Sequence, residues 1–152
     1  SAARPSPETR ASQRRRRKPD VPRGEHPQVL HDGFVPGRFA IDAYGRGGFR
    51  FAEMSHRGSI LALPSGIHAW PVTAAEEIDE ASLKPLIAER GDIDVLLVGT
   101  GALPLQLAEN VRWILREAGM GVDVMTTGAA ARTYNIMLGE KRRVAAALVA
   151  TE

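Results

Sequence analysis

Two short turns rich in glycine and threonine are the parts of this sequence best suited to hold a ligand. Gly99-Thr-Gly101 follows one apolar run, and Thr126-Thr-Gly128 follows the next. Where a strand leads into a helix, the first N–H groups of the helix lack intrahelical partners and can bind a carboxylate, a phosphate or a carbonyl oxygen. The equal alternative is that the glycines only form tight turns and the threonines only cap the helix. The residues of this candidate crevice are Gly99, Thr100, Gly101, Thr126, Thr127, Gly128, Thr133, Tyr134 and Asn135.

No other group of residues predicts a reaction. Gly99-Thr-Gly101 lacks the third glycine of a dinucleotide-binding fingerprint, and the chain contains no Gly-Lys-Ser/Thr phosphate loop. The four histidines do not have the spacing of metal ligands. Ser65 lies between Pro64 and Gly66, where turn geometry explains it better than a role as nucleophile. We therefore expect a protein that is not an enzyme, with no metal site and no cofactor.

Charge is unevenly distributed along the 152 residues. Residues 1–25 contain eight Lys/Arg and three Asp/Glu, a net charge of +5, so the remainder carries −3 of the total of +2. The mildly acidic remainder argues against a nucleic-acid ligand for the folded domain. Residues 1–28 are rich in Pro, Ser and Arg, and we expect a disordered basic tail there. That tail is either a solvated segment or a contact for anionic lipid or nucleic acid.

The absence of cysteine fits a reducing compartment, and no apolar run approaches the roughly 18 residues needed to cross a bilayer. We expect a cytoplasmic protein with a single ordered domain over 29–152. Glycine-rich turns between short apolar segments predict an antiparallel meander with strands at 39–44, 49–51, 57–63 and 67–72.

The pattern after residue 72 predicts alternating helices and strands. A short or bent helix is expected over 76–89 because Pro85 interrupts it, and a second helix is expected to begin at Pro104. The remaining predicted elements are strands at 93–98, 121–125 and 143–150 and a helix at 129–138. Right-handed crossovers would make strands 93–98 and 121–125 parallel neighbours. The predicted fold class is α/β, with an N-terminal antiparallel β meander followed by β-α-β-α-β.

Trp113 is the candidate interface residue. The apolar stripe of its predicted helix consists of Leu107, Val111, Ile114, Leu115 and Ala118. At about 100° per residue, Trp113 points away from that stripe and toward polar neighbours. Large aromatic side chains on a polar face are enriched where proteins meet partners. The alternative is a ring that lies flat over neighbouring side chains.

Five sequence blocks in a fixed order resemble a known family. This is the small α/β family that includes mitochondrial complex I assembly factor 3 and many uncharacterised bacterial proteins. The resemblance covers roughly 36–150, and the tail lies outside it. One turn departs from the usual Pro-Thr-Gly of the family, since it is Thr126-Thr-Gly128 here. The five blocks are Asp42–Phe51, Gly58–Leu61, Leu63–Val72, Val98–Gly101 and Val124–Asn135.

The resemblance implies a three-layer α/β single domain with a mixed central sheet, and no established catalytic residue or cofactor. It implies a non-enzymatic protein-interaction or assembly factor linked to complex I biogenesis. The implied partners are respiratory-complex subunits or a second assembly factor, with peripheral contact to the inner membrane. The alternative function is an anion-binding or small-molecule-binding protein, or an enzyme, that uses the crevice between Gly99–Gly101 and Thr126–Asn135.

Overall fold

The computed structural model describes residues 33–152. The expected tail over 1–28 and the expected start of the domain at 29–32 lie outside the described residues. Residues 33–152 form nine strands and three α-helices, with short 3₁₀ helices at Ala75–Glu77 and Arg90–Asp92. In chain order the elements are β1 Phe34–Pro36, β2 Ala43–Gly45, β3 Gly48–Phe51, β4 Met54–Arg57, β5 Ser59–Leu63, β6 Gly66–Trp70, α1 Glu80–Ala88, β7 Val95–Gly99, α2 Glu109–Glu117, β8 Gly121–Met125, α3 Thr127–Gly139 and β9 Val144–Leu148.

Six of the strands form a mixed sheet in the order β1-β6-β5-β9-β7-β8. The central strand β9 runs antiparallel to β5 and parallel to β7, and β7 runs parallel to β8. This arrangement confirms the predicted mixed sheet and the predicted parallel pairing of the strands at 93–98 and 121–125. Every residue of β9 is buried, because this strand has neighbours on both sides and layers on both faces.

The predicted meander is divided between two sheets. β2, β3 and β4 form a separate antiparallel sheet of three strands, while β5 and β6 belong to the large sheet. The chain changes sheets at Gly58, which has a φ of +101° that other residues rarely adopt. The strand predicted at 57–63 is confirmed as β5, but it begins at Ser59 and not at Arg57, which ends β4.

Two apolar cores give the molecule three layers. On one face of the large sheet, Leu83 and Leu86 of α1 pack with Val111 and Leu115 of α2 in one buried cluster. On the other face, α3 and the small sheet share a second cluster whose large members include Phe51 and Tyr134. This layering confirms the expected three-layer α/β architecture.

Helix α2 does not begin at Pro104 as predicted. It begins at Glu109, and the preceding residues form an irregular loop. The Thr100 hydroxyl explains the difference, because it accepts a hydrogen bond from Leu105 N–H (3.0 Å) and donates one to Leu103 C=O (2.7 Å). A helix that began at Pro104 would need the Leu103 carbonyl for its first intrahelical bond, so the bond from Thr100 to that carbonyl disfavours the turn.

Candidate functional site

The structure brings the two predicted turns together at one edge of the large sheet. Gly99 at the end of β7 is in register with Met125 at the end of β8. Beyond the strands, Thr100 N–H donates to Met125 C=O (3.0 Å), and Thr127 N–H donates to Gly101 C=O (2.9 Å). The candidate crevice is therefore bridged by hydrogen bonds between its own two walls.

Thr127 is the centre of this bridge and is 0% exposed. Its hydroxyl accepts a hydrogen bond from Gly101 N–H (2.9 Å) and donates one to Val149 C=O (2.6 Å). A Cβ on Gly99 would lie only 2.7 Å from Thr127 Cα, so glycine is required there for the two loops to approach this closely. The Thr127 side chain therefore does not face a ligand; it links α3 to the loop after β7 and to the chain after β9.

The N-terminus of α3 is capped and partly covered. Thr126 accepts a hydrogen bond from Ala129 N–H (3.3 Å), which satisfies one of the free donors of the first turn. The phenol of Tyr44, from β2 of the small sheet, lies against Gly128, where any larger side chain would collide with it. The Tyr44 phenol therefore occupies part of the space beside the first turn of α3. The crevice as a ligand site stays a prediction.

Thr133, Tyr134 and Asn135 lie farther along α3 than the turns. Tyr134 is buried in the core of the small sheet, and burial raises the pKa of its phenol, so the phenol stays neutral at physiological pH. Asn135 binds both backbone groups of one residue: its Nδ2 donates to Ile41 C=O and its Oδ1 accepts from Ile41 N–H, each at 2.8 Å. Asn135 therefore anchors the chain just before β2 to α3.

A second polar cluster joins the β5–β6 turn to the end of α1. Ser65 Oγ lies 3.0 Å from His68 Nε2 and donates to Glu89 Oε2, while Ser65 N–H donates to Glu89 Oε1 (2.9 Å). No local sequence pattern associates Glu89 with Ser65, because the two are 24 positions apart. Their contact depends on the packing of α1 over the sheet.

The cluster contains the residue types of a hydrolytic triad but not its arrangement. In a triad, histidine accepts the serine proton through one ring nitrogen while the acid binds the other. Here Glu89 accepts the single proton of the Ser65 hydroxyl, and its nearest approach to His68 is to the same Nε2, at 3.9 Å. The three side chains link the β5–β6 hairpin to the C-terminal end of α1.

We predict that Glu89→Gln lowers the pKa of His68. Burial already holds this pKa below its ordinary value of 6.5, and the Glu89 carboxylate opposes the shift by favouring the imidazolium. Because the pKa is lowered in the folded state, the unfolded chain takes up this proton first, and stability declines as the pH falls below 6.5. NMR titration of the ring protons measures the change.

His56 is an internal control for the same titration. Burial also lowers its pKa, but the opposing contribution comes from Ser59 and not from Glu89. Its titration should be unchanged in the variant. A His68 pKa that stays constant or rises after the substitution would contradict the assigned role of Glu89.

Trp113 is 57% exposed on α2, while Val111 and Leu115 on the other side of the helix are buried. The predicted orientation of this helix is confirmed. Leu103 and Leu105, in the loop that precedes α2, are also exposed, at 68% and 36%. Within the described part of the chain, no three His, Asp or Glu side chains are grouped so that they could hold a metal ion. None of its helices is long and apolar enough to cross a membrane.

Known proteins are similar to this chain in sequence, and a solved structure is similar to it in fold. An uncharacterised protein of Rhodobacter capsulatus is 40% identical over 117 residues, which cover 77% of this chain and 88% of that protein. The NADH dehydrogenase [ubiquinone] 1 alpha subcomplex assembly factor 3 of Xenopus tropicalis is 31% identical over 109 residues, 72% of this chain. The chain spans 60% of the length of that assembly factor.

The crystal structure of an outer membrane protein from Bartonella henselae superimposes with a TM-score of 0.75 and 50% identity. The match covers 77% of this chain and 98% of that one. Residues 41–149 match the family described as "Protein of unknown function (DUF498/DUF598)". This range includes both the bridged turns and the small sheet that Asn135 anchors. The chain therefore belongs to the DUF498/DUF598 family, which also includes the complex I assembly factor 3 proteins.

Proposed function

We propose that this protein is a non-enzymatic interaction protein that helps to assemble respiratory complex I. The observation that carries the proposal is its family membership together with relatives that are named as complex I assembly factors. The arrangement of the polar groups supports a binding role over a catalytic one. The Thr127 hydroxyl of the crevice is bonded to backbone groups, and the Ser65 hydroxyl is bonded to Glu89. Neither hydroxyl is therefore an activated nucleophile.

The surface around α2 is the proposed contact with a partner protein. Of the five large apolar side chains that are exposed among residues 33–152, three lie between 103 and 113. They are Leu103 and Leu105 in the loop and Trp113 on the helix. A tryptophan exposed among the charged residues of a helix, with further exposed apolar side chains in the preceding loop, is typical of an interface anchor. The proposed place of action is the cytoplasmic side of the inner membrane, where such a partner would be met.

The proposal is tested by purifying a tagged form of the full chain from its native host and identifying copurified proteins by mass spectrometry. Enrichment of complex I subunits or of a second assembly factor is the expected result. A deletion strain should contain less assembled complex I and should recover when the gene is restored. Normal complex I in the deletion strain would overturn the proposed function.

We predict that Trp113→Ala reduces this copurification while changing the free energy of unfolding by less than about 1 kcal/mol, because the ring is mostly exposed. Ile136→Ala is the matched control, since Ile136 is 62% exposed but lies on α3, away from this surface. Thermal denaturation should be measured on both variants. A loss of about 3–5 kcal/mol for Trp113→Ala, the range for a core tryptophan, would show that the ring is structural.

A further inference from the structure

The small sheet carries a groove that the function proposed above does not use. The groove has a volume of about 580 Å³ and is lined by all three strands of this sheet. Arg46, Arg50 and Arg57 are among its lining residues, and no Asp or Glu is. Within residues 33–152, none of the three arginines is within ion-pair distance of a carboxylate. The groove is therefore lined by three arginines and no carboxylate, on a mildly acidic domain.

The strand register puts two of these arginines on the same outer face. Arg50 of β3 is opposite Ser55 of β4, and Arg57 lies two residues farther along β4. Phe49 and Phe51, the neighbours of Arg50 in β3, are buried in the core. Because side chains alternate along a strand, Arg50 and Arg57 project from the opposite face, away from the core. Diagonal neighbours of this kind are separated by about 7–8 Å.

This separation matches an extended peptide. Alternate side chains of an extended chain are about 6.4–6.8 Å apart and point to the same side. Two carboxylates at such positions could each meet one arginine in a charge-assisted, bidentate hydrogen bond. Ala43, Gly45 and Gly48 occupy the rest of that face. Gly48 is buried and Gly45 lies beside the Glu152 backbone, so the main chain of a ligand has its closest access beside the exposed Ala43.

Arg46 lies at the end of the groove in a strained conformation. It has a φ of +54° in the two-residue turn between β2 and β3, where the following Gly47 has a φ of +78°. Two consecutive positive φ values define a type I′ turn, for which Asn or Gly is preferred at the first position. An arginine there is unfavourable for the turn but adds a third cation to the groove.

We propose that this groove binds an acidic segment of a partner protein in an extended conformation, with carboxylates at alternate positions paired to Arg50 and Arg57 and a further carboxylate near Arg46. A concave site favours a peptide over the flat surface of a bilayer. The net charge of −3 outside residues 1–25 opposes long-range attraction to a membrane or a nucleic acid, whereas a short segment needs only the local charge. The basic residues 1–25 have the wrong charge to fill the groove. The inference adds a partner chemistry to the proposed interaction function, but the binding itself does not require complex I.

Fluorescence anisotropy with the full chain tests the proposal. The probe is a labelled seven-residue peptide with glutamate at its second, fourth and sixth positions and valine or serine elsewhere. We expect saturable binding that weakens with salt. A peptide of the same composition with three consecutive glutamates should bind less tightly, because only two of its carboxylates would share one face. Equal binding of the two peptides would contradict an extended ligand.

Substitutions locate the binding on the protein. Arg50→Gln and Arg57→Gln should each weaken the affinity about fivefold, as expected for the loss of one accessible charged pair. Lys84→Gln removes one positive charge from α1, outside both proposed binding surfaces, and should have no effect. Arg46→Gly should weaken binding and also raise the melting temperature, because glycine adopts a positive φ without strain. Weaker binding by a more stable protein could not be caused by unfolding. Affinity that is unchanged in both Arg50→Gln and Arg57→Gln would overturn the proposal.

Two further measurements exclude other sources of binding. A full-length variant with Arg14 to Arg17 replaced by glutamine should retain the binding, and its loss there would assign the peptide to the basic N-terminal segment instead. Neither phosphatidylglycerol vesicles nor inorganic phosphate should displace the peptide when each is added at a matched concentration of charge. Displacement by either one that requires Arg50 and Arg57 would show that the groove binds a lipid headgroup or a free anion, and would overturn the assignment to a protein segment.

Discussion

Replacing Thr127 with valine is expected to lower the free energy of unfolding by about 2–4 kcal/mol, because each buried polar group that loses its partner costs about 1–3 kcal/mol. Valine has nearly the shape of threonine, so the substitution leaves no cavity. It removes the acceptor of Gly101 N–H and the donor to Val149 C=O in a site that water does not reach. Chemical denaturation monitored by tryptophan fluorescence measures the loss.

Two further threonine substitutions test whether the hydroxyl is responsible. Thr127→Ser keeps both hydrogen bonds and removes one buried methyl group, which should cost about 1 kcal/mol. Thr133→Val removes a hydroxyl from the same helix, where its only bond in the described chain is to the weak acceptor Met125 Sδ at 3.8 Å. That change should be within about 0.5 kcal/mol of the parent. If Thr127→Val were as stable as Thr127→Ser, the two hydrogen bonds of the Thr127 hydroxyl would not contribute to stability.

The bridged turns were predictable from sequence because their signals are local. An apolar run, a glycine and a threonine cap indicate where a buried strand ends and where a helix begins, and parallel neighbours end at the same edge of a sheet. The separate small sheet was not predictable in this way. β4 is Met-Ser-His-Arg, which has no clear alternation of apolar and polar residues. The change of sheet takes place at Gly58, whose positive φ is not indicated by any pattern of apolar residues.

The contacts that complete each site were beyond the reach of local patterns. Glu89 meets Ser65 across 24 positions, and Asn135 meets Ile41 across 94. Tyr44 reaches Gly128 only because the small sheet packs beside α3. The positive groove likewise depends on the register of β3 against β4, which places Arg50 and Arg57 on one face although seven positions separate them. Polar residues in these segments show that partners are needed, but only the tertiary packing determines which partners they have.

Asn135→Ala is expected to cost about 2–3 kcal/mol, since both backbone groups of the buried Ile41 lose their partner while the partly exposed site admits some water. The effect should be local as well as global. Ile41 leads directly into β2, so loss of the anchor should increase hydrogen exchange in β2–β4 more than in β5, β7 and β9. Equal increases in both sheets would contradict a role for Asn135 in holding the small sheet.

Asn135→Asp distinguishes hydrogen bonding from packing, because it keeps the shape of the side chain. At neutral pH one carboxylate oxygen still accepts from Ile41 N–H, but the other faces Ile41 C=O, so the new carboxylate is disfavoured in the folded state and its pKa is raised there. A raised pKa in the folded state means that the stability gained on protonation is present at acidic pH and is lost as the pH rises through the folded pKa. Asn135→Asp should therefore be more stable than Asn135→Ala at low pH and lose that advantage toward neutral pH, as measured by urea denaturation of both variants across this range. A difference between the two variants that does not change with pH would mean that the Ile41 carbonyl is not paired with the side chain at position 135.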